Sequence, residues 1–222
     1  MSDKRITGRA FHDADGVEDW RVLTWGAHAY YRTESFTAGA RFVASIAEAA
    51  EATGHFPDVD LRPEGVAVRT FSREDGALGE RDIELARQIS AVAQEHGLSA
   101  DPSQVQVVGI AVAQGAGIDV RPFWSAALGY EDLGDEDAID PRRRNPHLWF
   151  HELDPPVAGR GRVHIDVYVP ADQIQARVAA ALAAGGRVAD DSHAPEWWTL
   201  ASPDNHGVDI AAWPDFEDHG QG

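Results

Sequence analysis

Four ionisable residues that could transfer protons lie in the first half of the chain. They are Glu51, His55, Asp58 and Asp82. Histidine has an unperturbed pKa of about 6.5, so its imidazole can both accept and donate a proton near neutral pH. A carboxylate beside it can orient the ring or act as the second proton-transfer group. Residues of these types could together carry out acid–base chemistry, with an imidazole as the proton-transfer group and carboxylates as assisting or orienting groups.

His55 also has a purely structural interpretation. It follows the end of a predicted helix, where an imidazolium would complement the negative end of the helix dipole. Asp82 lies near the start of the next predicted helix, where an acidic residue is favourable for the same electrostatic reason. Both structural roles remain open alternatives to a catalytic one.

Several other kinds of function are disfavoured. The chain has no cysteine, which excludes disulfides, thiolate metal sites and a cysteine nucleophile. Its net charge of -18 argues against nucleic acid and anionic membrane surfaces as partners. The arginine run at residues 142–144 is too short for a recognition tract and predicts a solvated loop. No segment has the apolar length of a signal peptide or a membrane span, so we expect a soluble, cytoplasmic protein.

The first half of the chain predicts strands and helices in the order ββαββα. Residues 20–32 favour two short strands, and residues 56–72 favour a hairpin that turns at a Pro-Glu-Gly sequence. Apolar residues at three- and four-residue steps predict helices at 36–54 and 80–97, each closed by a glycine. We also expect a short leading helix near residues 12–18.

The second half predicts a duplicated unit. Residues 98–104 carry the Ser, Asp and Pro expected of a linker, which gives a first domain at 1–97 and a second domain at 105–222. Within the second domain, a strand, a helix and further strands occur in residues 105–153 and again in residues 162–213. The fold class of the whole chain is therefore expected to be α+β.

Residues 5–96 resemble the pterin-4a-carbinolamine dehydratase family. The family motif is an acidic residue, three spacers, His-His-Pro, a strand pair that carries an aromatic residue and a third histidine, and an Asp that opens the next helix. Glu51, His55, Pro57 and Asp82 match this spacing. GALGERDIELARQI resembles the family's closing helix, and DWRV resembles its early tryptophan.

The resemblance implies removal of water from a 4a-hydroxy-tetrahydropterin such as 4a-hydroxytetrahydrobiopterin, without a cofactor. It also implies two sets of site residues: His55, Asp82 and Glu51 for catalysis, and Phe56, Pro57, Asp58 and Arg73 for substrate binding. Three positions depart from the family pattern. Phe56 occupies the place of the second histidine, Pro63 that of the aromatic residue, and Arg73 that of the third histidine. Phenylalanine cannot transfer protons and a guanidinium stays protonated, so His55 would need a carboxylate as its partner.

The second half resembles the glyoxalase-like, vicinal-oxygen-chelate family. The resemblance rests on FWSAALGY, RVHIDVYV and SPDNHGVDIAAW. It implies two βαβββ units and, in metallated members, a divalent metal. His164 and Asp209 match two ligand positions of the family, whereas Gly109 occupies the first-strand histidine position. Because a catalytic metal usually has at least three protein ligands, a metal-free domain is the favoured expectation.

Three hypotheses of function follow from these observations. The leading one is a dehydratase of the pterin-carbinolamine type that acts through His55. The second is a non-catalytic module that binds a small ligand, such as a pterin, or assembles with partners. The third is a metal-dependent lyase or dioxygenase that uses His164 and Asp209. The family resemblance also implies homo-oligomers formed through sheet edges and helices, unless the fused second domain blocks that mode.

Overall fold

The computed structural model describes residues 4–24, 26–73, 76–115, 117, 119–152, 163–201 and 207–212. Its contacts divide the chain into two units. The first unit comprises Met1–Val105 with Pro170–Gln173, and the second comprises Gln106–Val169 with Ile174–Ala212. No helix in the described ranges combines the length and the apolar character needed to cross a membrane.

The first unit contains three helices and four strands among its described residues. In chain order they are α1 (Gly8–His12), β1 (Arg21–Leu23), β2 (Gly26–Arg32), α2 (Phe36–Thr53), β3 (Asp58–Arg62), β4 (Gly65–Thr70) and α3 (Glu80–Glu95). The predicted order ββαββα is confirmed. The leading helix was predicted at the wrong place, since α1 begins after Thr7, whose hydroxyl accepts a hydrogen bond from the Ala10 N–H.

The four strands form an antiparallel sheet in the order β1-β2-β4-β3. Val66 pairs with Tyr31 and Val68 pairs with Ala29, so all four side chains lie on one face. Helices α2 and α3 pack on this face, and the core between them includes the fully buried residues Phe42, Ile46, Leu85 and Ile89. The alternating burial of β4 therefore separates a helix-covered face from a polar face.

Two helix ends position the loop that carries His55. Helix α2 ends at Gly54, whose φ of 63° places it in the left-handed region, which glycine adopts without a steric penalty. The chain therefore turns sharply just before His55. Helix α3 begins after Gly79, and its third residue is Asp82. The end of α2 and the start of α3 therefore position His55 and Asp82, two of the residues predicted to be catalytic.

Residues 98–104, predicted as a linker, contact the first unit. Leu98 and Ala100 pack against its core, and the Asp101 N–H donates to the Tyr30 carbonyl at 2.7 Å. A short 3-10 turn follows at Pro102–Gln104. The contacts change from the first unit to the second after Val105.

The second unit is built around an eight-stranded sheet. Its elements are β5 (Val107–Gln114), α4 (Arg121–Leu128), β6 (Glu131–Leu133), β7 (Asp137–Ile139), β8 (His147–Glu152), β9 (Val163–Val169), α5 (Ile174–Ala183), β10 (Arg187–Asp190), β11 (Trp197–Ala201) and β12 (Gly207–Ala212). The sheet order is β10-β11-β12-β9-β5-β8-β7-β6. The two predicted βαβββ units are therefore confirmed. Strands β6 and β7 form a hairpin, and the charged side chains of Glu131 and Asp132 on β6 are exposed.

The core position of Phe42 gives a direct test of the first unit. Phe42 is fully buried and meets Tyr31 edge to face, with ring centroids 5.1 Å apart. We expect Phe42→Ala to lower the free energy of unfolding by about 3–5 kcal/mol, because a large buried ring leaves a cavity. Phe36→Ala on the same helix is the matched control, since Phe36 is 54% exposed, and should cost less than about 1 kcal/mol. Urea denaturation measures both, and equal losses would contradict this view of the core.

Candidate functional site

His55 and Asp82 form a buried pair in the first unit. The Nε2 atom of His55 lies 2.7 Å from Oδ1 of Asp82. His55 is 9% exposed and Asp82 is fully buried. Burying a carboxylate destabilises the folded state unless hydrogen-bond donors and a partner side chain replace the lost water. Asp82 has both. The structure thus brings together two of the three residues predicted to be catalytic.

Two further groups donate hydrogen bonds to the same carboxylate. The Thr70 hydroxyl, at the end of β4, donates to Oδ1, and the Gly79 N–H donates to Oδ2 at 2.8 Å. An ionised carboxylate only accepts hydrogen bonds, so Nε2 of His55 carries a hydrogen in this network. The nitrogen left for proton transfer is Nδ1, to which no hydrogen bond from the described residues is recorded.

Arg81 fixes the other side of the His55 loop. Its Nη2 atom donates to the carbonyls of Thr53 and Gly54, at 3.0 and 2.6 Å. These carbonyls lie at the end of α2, where backbone carbonyls have no hydrogen-bond donor within the helix. Consecutive residues at the start of α3 therefore hold the imidazole and the backbone that precedes it. Arg81 and Thr70 were missed in the sequence analysis, although Arg81 adjoins Asp82 in the GERD run.

Glu51 lines an apolar groove. The groove has a volume of about 170 Å³ and is open to solvent. Its lining comprises Val43, Ile46, Ala47, Ala50, Glu51, Phe56, Pro57 and Val59. Phe56 is half exposed there, so its ring offers a free face to a flat ligand. Two predicted substrate-binding residues, Phe56 and Pro57, thus share this groove with a predicted catalytic acid.

Asp58 is engaged by two arginines and forms no recorded hydrogen bond with His55. Its Oδ2 accepts from Nη2 of Arg69 at 2.5 Å, and its Oδ1 accepts from Nη2 of Arg73. Both guanidinium groups lie over the ring of Phe71. The two remaining predicted substrate-binding residues, Asp58 and Arg73, therefore belong to a separate cluster.

In the second unit, Asp209 and Asp166 lie side by side on neighbouring strands. The pairing of β12 with β9 puts these two residues directly opposite each other. The indole N–H of Trp149 donates to Oδ2 of Asp166. The side chain of His164 lies outside the described residues. Within the described ranges, no group of three or more His, Asp or Glu residues is arranged to hold a metal ion.

His147 occupies the space beside Gly109, which the sequence analysis identified with a metal-ligand position. Gly109 pairs with His147, and a Cβ atom at residue 109 would lie 2.6 Å from Cε1 of that imidazole. A larger residue at 109 would therefore displace the ring. Burial lowers the pKa of His147 to about 4. The imidazole is consequently neutral at physiological pH.

Removal of the Thr70 hydroxyl should weaken the first unit. Thr70→Val keeps the side-chain shape but leaves the buried Asp82 carboxylate with one donor fewer, so we expect a loss of about 2–3 kcal/mol in the free energy of unfolding. Thr70→Ser retains the hydroxyl and is the matched control. Denaturant unfolding followed by tryptophan fluorescence compares the two. If both variants lose the same stability, the hydroxyl has no energetic role.

Titration of His147 should reveal its burial. Its folded pKa of about 4 lies below the ordinary value of 6.5, so between these pH values the unfolded chain binds the extra proton. The stability contributed by the neutral imidazole is present above pH 6.5 and is lost as the pH falls toward 4, by up to about 1.4 kcal/mol per pH unit. NMR titration of the imidazole measures the pKa directly. His147→Gln should remove this part of the pH dependence, and an unshifted titration would refute the assignment.

Comparisons with known proteins match the two halves separately. Residues 2–92 match the family described as pterin 4 alpha carbinolamine dehydratase, and residues 115–211 match the family described as glyoxalase-like domain. Two relatives are provisionally named pterin-4-alpha-carbinolamine dehydratases. The protein from Nocardia farcinica is 44% identical over 94 residues, which cover 42% of this chain and 95% of the relative. The protein from Acidobacterium capsulatum is 42% identical over 89 residues, which cover 40% and 97%.

A solved structure also matches part of the chain. It is a transcriptional coactivator/pterin dehydratase from Brucella melitensis, 24% identical, with a TM-score of 0.36 over 40% of this chain and 99% of that one. The Nocardia and Acidobacterium relatives are covered almost completely, whereas their matches span less than half of the present chain. This chain therefore belongs to the pterin-4a-carbinolamine dehydratase family and carries in addition a glyoxalase-like domain.

Proposed function

We propose that the first unit dehydrates a 4a-hydroxy-tetrahydropterin to the quinonoid dihydropterin, with His55 as the proton-transfer residue. The observation that carries this proposal is the buried His55–Asp82 pair. Buried charge pairs are also found in purely structural networks, but the family membership favours a catalytic role for this one. The pterin itself is proposed by extension from the family.

The reaction suits a single imidazole because it neither takes up nor releases a net proton. The C4a–O bond breaks, the hydroxyl leaves as water, and a ring nitrogen loses the proton that the hydroxyl gains. Nδ1 of His55 can accept the nitrogen-bound proton and return it to the departing hydroxyl. No electrons are exchanged with another molecule, so the proposed reaction needs no cofactor.

Asp82 acts on the substrate only through His55. Its carboxylate fixes the plane of the imidazole and stabilises the imidazolium that forms during proton transfer. Thr70 and Gly79 hold the carboxylate in turn. Asp82 is thus a positioning residue, and its loss should lower the rate without removing the proton-transfer group.

Phe56 occupies the position at which a second histidine would provide an additional acid–base group for the reaction. Its half-exposed ring can stack on a pterin but cannot move a proton. A positioned acid–base residue typically contributes about 10²–10⁴-fold to a rate. We therefore propose a slower dehydratase than a site with a second histidine would give.

The test uses freshly generated 4a-hydroxy-tetrahydropterin and follows its dehydration by absorbance. His55→Ala should fall by at least about 10²-fold toward the uncatalysed rate, and Asp82→Asn should show a smaller loss. His96→Gln is the matched control, because His96 is an exposed imidazole at the end of α3 that contacts Ser45 at 3.0 Å. A wild-type rate equal to that of His55→Ala would overturn the proposal.

A further inference from the structure

An arginine of α3 supplies the positive charge at the C-terminal end of α2. The Nη2 atom of Arg81 donates hydrogen bonds to the carbonyls of Thr53 and Gly54, at 3.0 and 2.6 Å. Carbonyls at this end of a helix lack donors within the helix, and the helix dipole makes the end negative, so a cation there is favourable. Basic residues in the last turn of the helix itself often take this role, but the last turn of α2 contains none. The cation therefore comes from another helix.

The position of Arg81 is unfavourable for its own helix. Arg81 is the second residue of α3. The N-terminal end of a helix carries a partial positive charge, which favours acidic residues such as Glu80 and Asp82 in the first turn and repels a cation. A residue that breaks a local preference is expected where a functional site requires it. The contacts with the end of α2 supply the reason that α3 itself does not.

Arg81 and Asp82 hold the same turn of the chain at two different points. Asp82 accepts the Nε2 hydrogen of His55, which fixes one end of the imidazole. Arg81 binds the carbonyls of the two residues that immediately precede His55. A ring held only at Nε2 could still pivot if the backbone that carries it moved. Two consecutive side chains of α3 thus restrain both the ring and its backbone.

A second arginine of α3 makes the same kind of contact elsewhere. The Nε atom of Arg87 donates to the carbonyl of Asp15 at 2.6 Å, in the loop between α1 and β1. Arg81 and Arg87 are both exposed. Each binds backbone carbonyls of a distant segment, but the segment bound by Arg81 leads directly into His55. Loss of Arg87 therefore measures the general effect of removing such a contact on the stability of the unit.

We propose that Arg81 is a positioning residue for His55, in addition to Asp82. It acts through the backbone from which the imidazole projects. Its effect on turnover rests on the proposed function, whereas its effect on the imidazole rests on the contacts alone. A proton-transfer group must lie within hydrogen-bonding distance of the proton that it moves, so Arg81 should affect the chemical step more than substrate binding.

The first test compares the steady-state kinetics of dehydration in variants of the full chain. We expect Arg81→Gln to lower kcat by about tenfold, because a small displacement of a proton-transfer group slows the reaction strongly. KM should change by less than about twofold, since the substrate contacts remain. Arg87→Gln is the matched control and should keep the wild-type kcat and KM. An equal loss of kcat in both variants, or a change confined to KM, would overturn the proposal.

Urea unfolding establishes that both variants are folded under the assay conditions. If Arg81→Gln is unfolded there, Arg81→Lys and Arg87→Lys are compared in the same way. A lysine keeps the charge but lacks the fixed plane of donors of a guanidinium, so the same direction of change is expected. Equal kcat values in these two lysine variants would then overturn the proposal.

The second test does not depend on turnover. NMR of isotope-labelled protein measures how fast the Nε2 hydrogen of His55 exchanges with solvent. This hydrogen is donated to a buried carboxylate, so its exchange requires a local opening. We expect Arg81→Gln to raise the exchange rate by about tenfold and Arg87→Gln to leave it unchanged.

The two tests separate this proposal from the proposed reaction. An exchange rate that is unchanged in Arg81→Gln would overturn the positioning role. Turnover that is equal in wild type and Arg81→Gln would overturn that role and leave the reaction standing. Faster exchange in Arg81→Gln, in a protein without turnover, would overturn the reaction and leave the positioning of His55 by Arg81 standing.

Discussion

The first unit depends on one fully buried carboxylate, that of Asp82. A charge removed from water must be matched by hydrogen-bond donors, and the three donors come from different parts of the fold. Thr70 ends β4, Gly79 precedes α3 and His55 follows α2. The carboxylate therefore fixes the ends of two helices and a strand relative to one another. Any sequence that keeps it must also keep its donors at these three positions.

The hydrogen bonds that satisfy the buried carboxylate also orient the imidazole that we propose as the proton-transfer group. Because Nε2 of His55 is held by Asp82, the orientation of the other ring nitrogen is also fixed. Arg81 holds the carbonyls just before His55, so the backbone and the ring are fixed together. Preorganised groups lose little entropy when they meet a substrate. The contacts that stabilise this unit are thus the same contacts on which the proposed acid–base chemistry depends.

His55 and Asp82 could be predicted from the sequence because their spacing matches the motif of the dehydratase family. Spacing could not identify Thr70, whose role depends on where β4 ends relative to α3. Periodicity predicted the longer helices well, since their apolar stripes are continuous. It misplaced α1, where a single capping hydroxyl at Thr7 decides the start. The place of His147 beside Gly109 depends on strand register, which spacing alone does not specify.

Each unit contains a buried aspartate, and the side chains that donate hydrogen bonds to these two carboxylates differ in their ability to transfer protons. Asp166 is 4% exposed and accepts from the indole of Trp149. An indole N–H donates a hydrogen bond but does not titrate near neutral pH, so this pair cannot relay a proton. In the first unit the corresponding donor is an imidazole, which can gain and lose a proton in that range. The nearby His147 is buried as a neutral ring. Because Asp82 has an imidazole among its donors, the acid–base chemistry proposed above is placed in the first unit.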